Sequence, residues 1–225
     1  MCGRFTLTTS AEVVAEFFEL ADLPELTPRY NIAPSQPVPA VLLDGEHRLR
    51  RLDHLRWGLV PFWAKDPAIG YRMINARSDG VENKPAFRAA FKKRRCLVAA
   101  DGFYEWQKQE GSKRKQPYYI RMTGGGVFAF AGLGEHWESP DGAALDTCTI
   151  LTTEPNALMK PLHDRMPVIL PRESFAAWLD PAQQTPDPIL RLLRPFPAKA
   201  MSAFPVSTTV NNPANDTPAC LEPLT

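Results

Sequence analysis

Residues 96–107 read Cys96-Leu97-Val98-Ala99-Ala100-Asp101-Gly102-Phe103-Tyr104-Glu105-Trp106-Gln107. Two short apolar and aromatic runs, 96–100 and 103–107, flank an Asp-Gly pair, so each is read as a strand ended by turn-forming residues. Working outward, further strand candidates lie at 40–43, 118–122, 127–133, 147–152, 166–170 and 205–208. Helical spacing of apolar residues predicts helices at 85–93, 172–179 and 188–193. Near the start, Thr9-Ser10-Ala11-Glu12 has the form of a capping box, followed by Val13, Val14, Phe17, Phe18 and Ala21 at helical intervals. The first helix then begins just after the N-terminus and anchors residues 2–5 to the core.

The 23 prolines are spread along the 225 residues, which favours short strands and turns over long helices. With 44% hydrophobic and 23% charged residues, the chain has enough apolar surface to fold as one domain, 1–225. The expected class is α+β: a twisted, largely antiparallel sheet or partly closed β-barrel with flanking helices. A net charge of +1 gives no global attraction for nucleic acid, so any such partner must be held by local charge. Cys2, Cys96, Cys148 and Cys220 are far apart and form no CxxC pair, so neither a metal site nor a redox motif is expected, and no cofactor. A reducing cytoplasm is the expected location. No apolar run reaches the roughly 20 residues of a membrane helix.

Six groups of residues can carry chemistry. Cys2 follows the initiator methionine; loss of Met1 would leave an α-amine and a thiol on one skeleton, a 1,2-aminothiol. An α-amine with a pKa of about 7.7–8.0 is partly neutral at cellular pH and attacks aldehydes, and the thiol can then close a thiazolidine ring. His163, in Pro161-Leu162-His163-Asp164-Arg165-Met166-Pro167, precedes an apolar strand, where loops present catalytic groups; alone, such a histidine is more often a surface or packing residue. His47, His54 and His136 lack that context. Glu105 alternates with Tyr104 and Trp106; facing an interior it would have a raised pKa suited to acid–base work, facing water it would be an ordinary polar position.

Asn75-Ala76-Arg77 offers an amide and a guanidinium on one side of an extended segment, suited to orienting an amine and gripping a phosphate, or to a loop-stabilising network. Lys84, Arg88 and Lys92 fall at four-residue spacing, with Lys93, Arg94 and Arg95 following, while Phe87 and Phe91 form the buried stripe. Trp57, Phe62, Trp63, Tyr71, Phe103, Tyr104 and Trp106 lie near Arg72 and Arg77 in sequence, a mixture able to stack bases beside phosphate-binding arginines, although most aromatics of such a domain serve its core.

Taken together, these segments resemble the SOS-response-associated peptidase (SRAP) family of abasic-site-processing proteins. The resemblance runs through Met1-Cys2-Gly3-Arg4-Phe5, Asn31-Ile32-Ala33-Pro34, Arg56-Trp57-Gly58-Leu59-Val60-Pro61, Asn75-Ala76-Arg77, Asp101-Gly102-Phe103-Tyr104-Glu105-Trp106, His163-Asp164-Arg165-Met166-Pro167, Val210-Asn211 and Asn215-Asp216. It implies capture of abasic sites in single-stranded DNA, with or without a neighbouring duplex junction, through a thiazolidine at Cys2. By family similarity, Asn75 positions the cysteine, Glu105 and His163 assist ring opening, Schiff-base formation and ring closure, Arg4, Arg77 and Arg165 hold the DNA backbone, and Trp106 packs near the nucleotides. The implied protein acts as a monomer in the cytoplasm and on the nucleoid when DNA-bound. Two positions depart from the family pattern: Asp79, where glutamate is expected, and Ala99, where proline is common; neither touches the proposed chemistry.

Two other classes use the same residues. A peptidase would employ Cys2 as nucleophile, His163 as base and Glu105 as orienter, acting on its own Met1; no oxyanion hole or peptide cleft is legible for other substrates. A passive single-strand-binding module would need only the arginines and aromatics. A Schiff-base intermediate also makes a slow strand-cleaving lyase reaction accessible.

Overall fold

The computed structural model describes residues 2–44, 48–112, 114–183 and 185–224; Met1 and His47 lie outside them. In chain order the elements are β1 (Phe5–Leu7), α1 (Ala11–Phe18), β2 (Arg29–Ile32), β3 (Pro37–Leu43), β4 (Arg50–Trp57), β5 (Asn75–Arg77), α2 (Arg88–Lys93), β6 (Arg95–Ala100), β7 (Gly102–Lys108), β8 (Lys115–Met122), β9 (Phe128–Glu138), β10 (Ala144–Thr153), β11 (Met166–Pro167), β12 (Ile169–Leu170), α3 (Phe175–Leu179), α4 (Pro186–Leu190) and β13 (Met201–Pro205). Strands β10, β4, β3, β6 and β9 pair in that order, and β9 pairs back onto β10. The ring closes into a five-stranded barrel, and closure removes the unpaired edges that an open sheet would expose. Pairing is antiparallel except where β10 runs beside β4 and β5 in parallel. A second, antiparallel sheet has the order β13-β8-β7-β1-β2.

Phe5 joins the two layers. It is wholly buried in β1 and meets the barrel residues Trp57 and Phe130 edge-on, with ring centroids 5.2 and 5.8 Å apart. Burying a phenylalanine stabilises by about 1.5–3 kcal/mol, and each edge-to-face pair adds about 0.5–1.5. The N-terminal strand is therefore fixed to the barrel, as the sequence leads one to expect, but not by the capping box. Ser10 does occupy the N-cap of α1 in extended conformation, yet its hydroxyl caps no helical N–H. The adjacent threonines are instead gathered by the buried Asp101. Its Oδ2 accepts from the N–H groups and hydroxyls of Thr8 and Thr9, and its Oδ1 from the Thr6 hydroxyl.

Several boundaries differ from expectation for local reasons. The candidate strand 166–170 divides into β11 on β10 and β12 on β9. Val168 bridges them, donating to Leu151 O and accepting from Ala131 N. The candidate strand 205–208 is displaced to β13, because the Ser207 side chain accepts from Thr209 N and starts a 3₁₀ turn at Thr208–Asn211. The helix expected at 85–93 begins at Arg88, after a turn, and that expected at 172–179 opens with a 3₁₀ turn at Arg172–Ser174. Among the described residues no helix is long and apolar enough to cross a membrane.

Candidate active site

β7 provides the frame. Phe5 lies opposite Phe103 in antiparallel register, and Tyr104 N donates to Arg4 O at 3.0 Å, so the segment before β1 continues alongside Glu105 and Trp106. Alternation sends neighbouring side chains of β7 to different environments. Tyr104 enters a small second core with Tyr119, Val206, Val210 and Cys220, while Glu105, on the opposite face, is also buried, with 2% of its surface exposed.

Cys2 is entirely buried, and burial pushes its thiol well above the ordinary range; the charge of Glu105 raises it further. Burial likewise raises the Glu105 carboxyl, with backbone hydrogen bonding and Lys115 opposing that shift. In both cases burial works against the charged form. The His163 imidazole moves the other way: burial lowers its pKa, and the carboxylate of Asp164, 2.7 Å from Nδ1, partly offsets this. The same Nδ1 lies 3.1 Å from Arg165 N. A neutral ring accepts there from the Arg165 N–H, whereas a protonated ring turns the same nitrogen into a donor for Asp164.

Asn75 and Arg77 enter on β5, beside Ile150 and Thr152 of β10. The Trp57 indole donates to Ile74 O at 2.8 Å, next to Asn75, and its ring packs on Phe5. Both amide atoms of Asn75 are buried, and neither has a hydrogen-bond partner among the described residues. A buried amide left unsatisfied costs about 1–3 kcal/mol, so the position is one where an incoming polar group is stabilising. On the same side of β10 as the end of β5, Arg165 donates from Nη2 to Thr152 O, which also accepts from Ser78 N, and from Nη1 to Asp79 Oδ2 at 3.0 Å.

A cleft of about 870 Å³ runs over this region, with Arg77, Trp106, His163 and Arg165 in its walls. Cys2, Asn75 and Glu105 do not line it. Lys108, Lys115 and Lys160 do, three residues that no sequence motif singled out. Lys108 and Lys115 face each other across the β7–β8 hairpin, and like charges directly opposed weaken a sheet. The legible signal was the alternation of Trp106 and Lys108 on one face of β7. With Arg77 and Arg165 these lysines make five cationic side chains in the cleft wall against one carboxylate, Asp164.

Arg4 is placed differently from the other arginines. Its Nη1 donates to Asn31 Oδ1 at 2.9 Å and to Val210 O at 2.8 Å, its Nη2 to Asn211 O at 3.3 Å, and its guanidinium lies 5.9 Å from the centroid of Trp106. The structure ties Arg4 to the C-terminal segment, which Asn31 also holds by donating to the carbonyls of Val210, Asn212 and Asn215. No cluster of three or more His, Cys, Asp or Glu residues able to hold a metal ion occurs among the described residues.

Residues 1–213 match the family model described as SOS response associated peptidase (SRAP). The chain is 47% identical to the abasic site processing protein YoqW of Bacillus subtilis, over 99% of both chains. It is 35% identical to the abasic site processing protein HMCES of Xenopus tropicalis, over 98% of this chain and 78% of that one. A crystal structure of a Bacteroides thetaiotaomicron protein superposes with a TM-score of 0.88 over the whole of both chains at 26% identity.

Proposed function

The chain belongs to the SOS response associated peptidase (SRAP) family, and from that premise we propose that it recognises abasic sites in single-stranded DNA and links to them covalently through Cys2. The observation that carries this reading is that Cys2, the second residue, is wholly buried, in a segment that runs beside the strand carrying the equally buried Glu105. Removal of Met1 frees the Cys2 α-amine. The opened abasic sugar presents an aldehyde at C1′, which the neutral amine attacks. The carbinolamine loses one water to give an imine. Sulfur then adds to the imine carbon while the thiol proton ends on nitrogen, closing the thiazolidine; the net change is the loss of one water.

Glu105 suits the role of proton donor to the departing oxygens, because burial keeps its carboxyl protonated to higher pH. His163, whose pKa burial lowers, suits that of proton acceptor. Asn75 brings an unsatisfied amide that can orient the amine or the opened sugar. Arg77, Arg165 and the three lysines of the cleft supply phosphate contacts, and Trp106 a stacking face. The proton-retaining thiol favours capture of an electrophile formed beside it over attack by a standing thiolate on a peptide.

The test compares oligonucleotides carrying an abasic site, its tetrahydrofuran analogue, or no lesion, each incubated with the Met1-processed protein and run under denaturing conditions. A retarded band confined to the abasic oligonucleotide and absent in Cys2→Ala is expected. Equal retardation of the tetrahydrofuran analogue, which has no aldehyde, would rule the chemistry out.

A further inference from the structure

Away from the cleft, a groove of about 550 Å³ lies between α2 and Phe62, bordered by Arg88, Lys92, Lys93 and Arg94. Arg88, Lys92 and Lys93 are exposed and form no ion pair among the described residues. Arg94 is the fixed member: its Nη2 lies 2.6 Å from the buried carboxylate of Glu135. Four cations against one carboxylate leave an excess of positive charge here in a chain whose net charge is only +1. Phe62 is 58% exposed, too open for a core aromatic.

The groove connects with the cleft through a row of basic residues. Lys84 Nζ donates to the carbonyl of Arg77, itself in the cleft wall. Arg88 N donates to Lys84 O in a helical i→i−4 bond, and Lys92 follows one turn later. At a helical rise of about 1.5 Å per residue, Arg88 and Lys92 stand about 6 Å apart along α2. A polyanion leaving the cleft past Arg77 meets cations at each step.

We propose that the groove between α2 and Phe62 is a second anchoring site for the same single strand, binding phosphates of nucleotides beyond those in the cleft and offering Phe62 as a stacking face. This rests on the proposed function only for the identity of the polyanion. Continuity with the cleft favours a nucleic-acid strand over an acidic peptide, which would have no reason to follow Arg77.

The experiment uses the full chain with Arg88→Glu, Lys92→Glu and Lys93→Glu combined, and Lys92→Ala with Lys93→Ala as a milder form. Binding is measured over a salt series to a short lesion-free oligonucleotide that fills only the cleft and to a long one. The charge-reversed protein is expected to lose about tenfold in affinity for the long strand, with its salt slope falling by about 0.7 for each phosphate contact removed. Short-strand binding and the rate of crosslinking to a short abasic oligonucleotide should stay unchanged. An unchanged long-strand affinity and slope overturns the proposal, as does an equal loss for both lengths. Polyglutamate competing as well as a deoxythymidine oligomer for the long-strand component also overturns it, identifying a general acidic-peptide surface. Failure of crosslinking in the unsubstituted protein would instead contradict the chemistry at Cys2.

Discussion

The indole Nε1 of Trp106 donates to Oδ1 of Asn211 at 2.7 Å. Asn211 also takes the Arg4 guanidinium on its backbone carbonyl, so a residue near the end of the chain holds two groups beside the N-terminus in register with the cleft. Asn211→Ala should therefore free the indole while costing little stability, about 1 kcal/mol or less for an exposed hydrogen bond. The expected result is weaker binding of lesion-free single strands, with the melting temperature within a few degrees of the parent, measured by anisotropy and thermal denaturation.

Asn31 has a heavier structural duty. Its wholly buried amide donates to three carbonyls of the C-terminal segment and accepts from Arg4. Asn31→Ala leaves those groups without partners and is expected to destabilise by about 2–4 kcal/mol, since each orphaned buried group costs about 1–3 and water recovers part of that. Hydrogen exchange should quicken first around Val210 and Cys220. Uniform exchange behaviour with an unchanged melting temperature would contradict the latch.

Lys108 and Lys115 stand directly opposite each other in the hairpin and both line the cleft. Lys115→Glu turns a cross-strand repulsion into an attraction, expected to add about 0.2–1 kcal/mol of stability. The same change should weaken DNA binding and lower the salt slope by about 0.7 or more. A variant that binds as tightly as the parent would remove Lys115 from the phosphate contacts.

Glu105 and His163 set opposite pH signatures. The Glu105 carboxyl is raised from its ordinary 4.5, so the folded state holds this proton more tightly than the unfolded chain. Its contribution is fully present below the unfolded value and is lost as pH rises through the folded one. Glu105→Gln should then raise the melting temperature at neutral pH, with the gain vanishing in acid, while crosslinking slows. The His163 imidazole is lowered from 6.5, so its contribution is present above that value and lost as pH falls through the folded one. The crosslinking rate should rise with pH through a group titrating below 6.5, and His163→Gln should remove that limb.

The sequence disclosed the barrel unevenly. β3, β6, β9 and β10 are visible because their apolar runs fill a core closed on itself, and β7 of the second sheet because its aromatics stand out between turn residues. β4 is not, because Arg50-Arg51-Leu52-Asp53-His54-Leu55-Arg56-Trp57 buries only Leu55 and Trp57 and depends on its neighbours β3 and β10 for pairing. β1, β2 and β5 are too short for any periodicity to emerge. The candidate site divides in the same way. Cys2, Asn75, Glu105 and His163 lie in motifs that can be read locally, and the fold sets their environments. Lys108, Lys115 and Lys160 belong together only because a hairpin and the loop before β11 meet, a contact marked by Gln107 Nε2 donating to Pro161 O at 3.2 Å.

The most direct test of the central claim is the intact mass of the protein before and after incubation with a single-stranded oligonucleotide carrying one abasic site, with Cys2→Ala alongside. The account predicts a starting mass lacking Met1 and a stable product equal to protein plus oligonucleotide minus one water, absent in Cys2→Ala. A Met1-processed protein that forms no such product, or an adduct that persists in Cys2→Ala, would contradict capture through the N-terminal aminothiol.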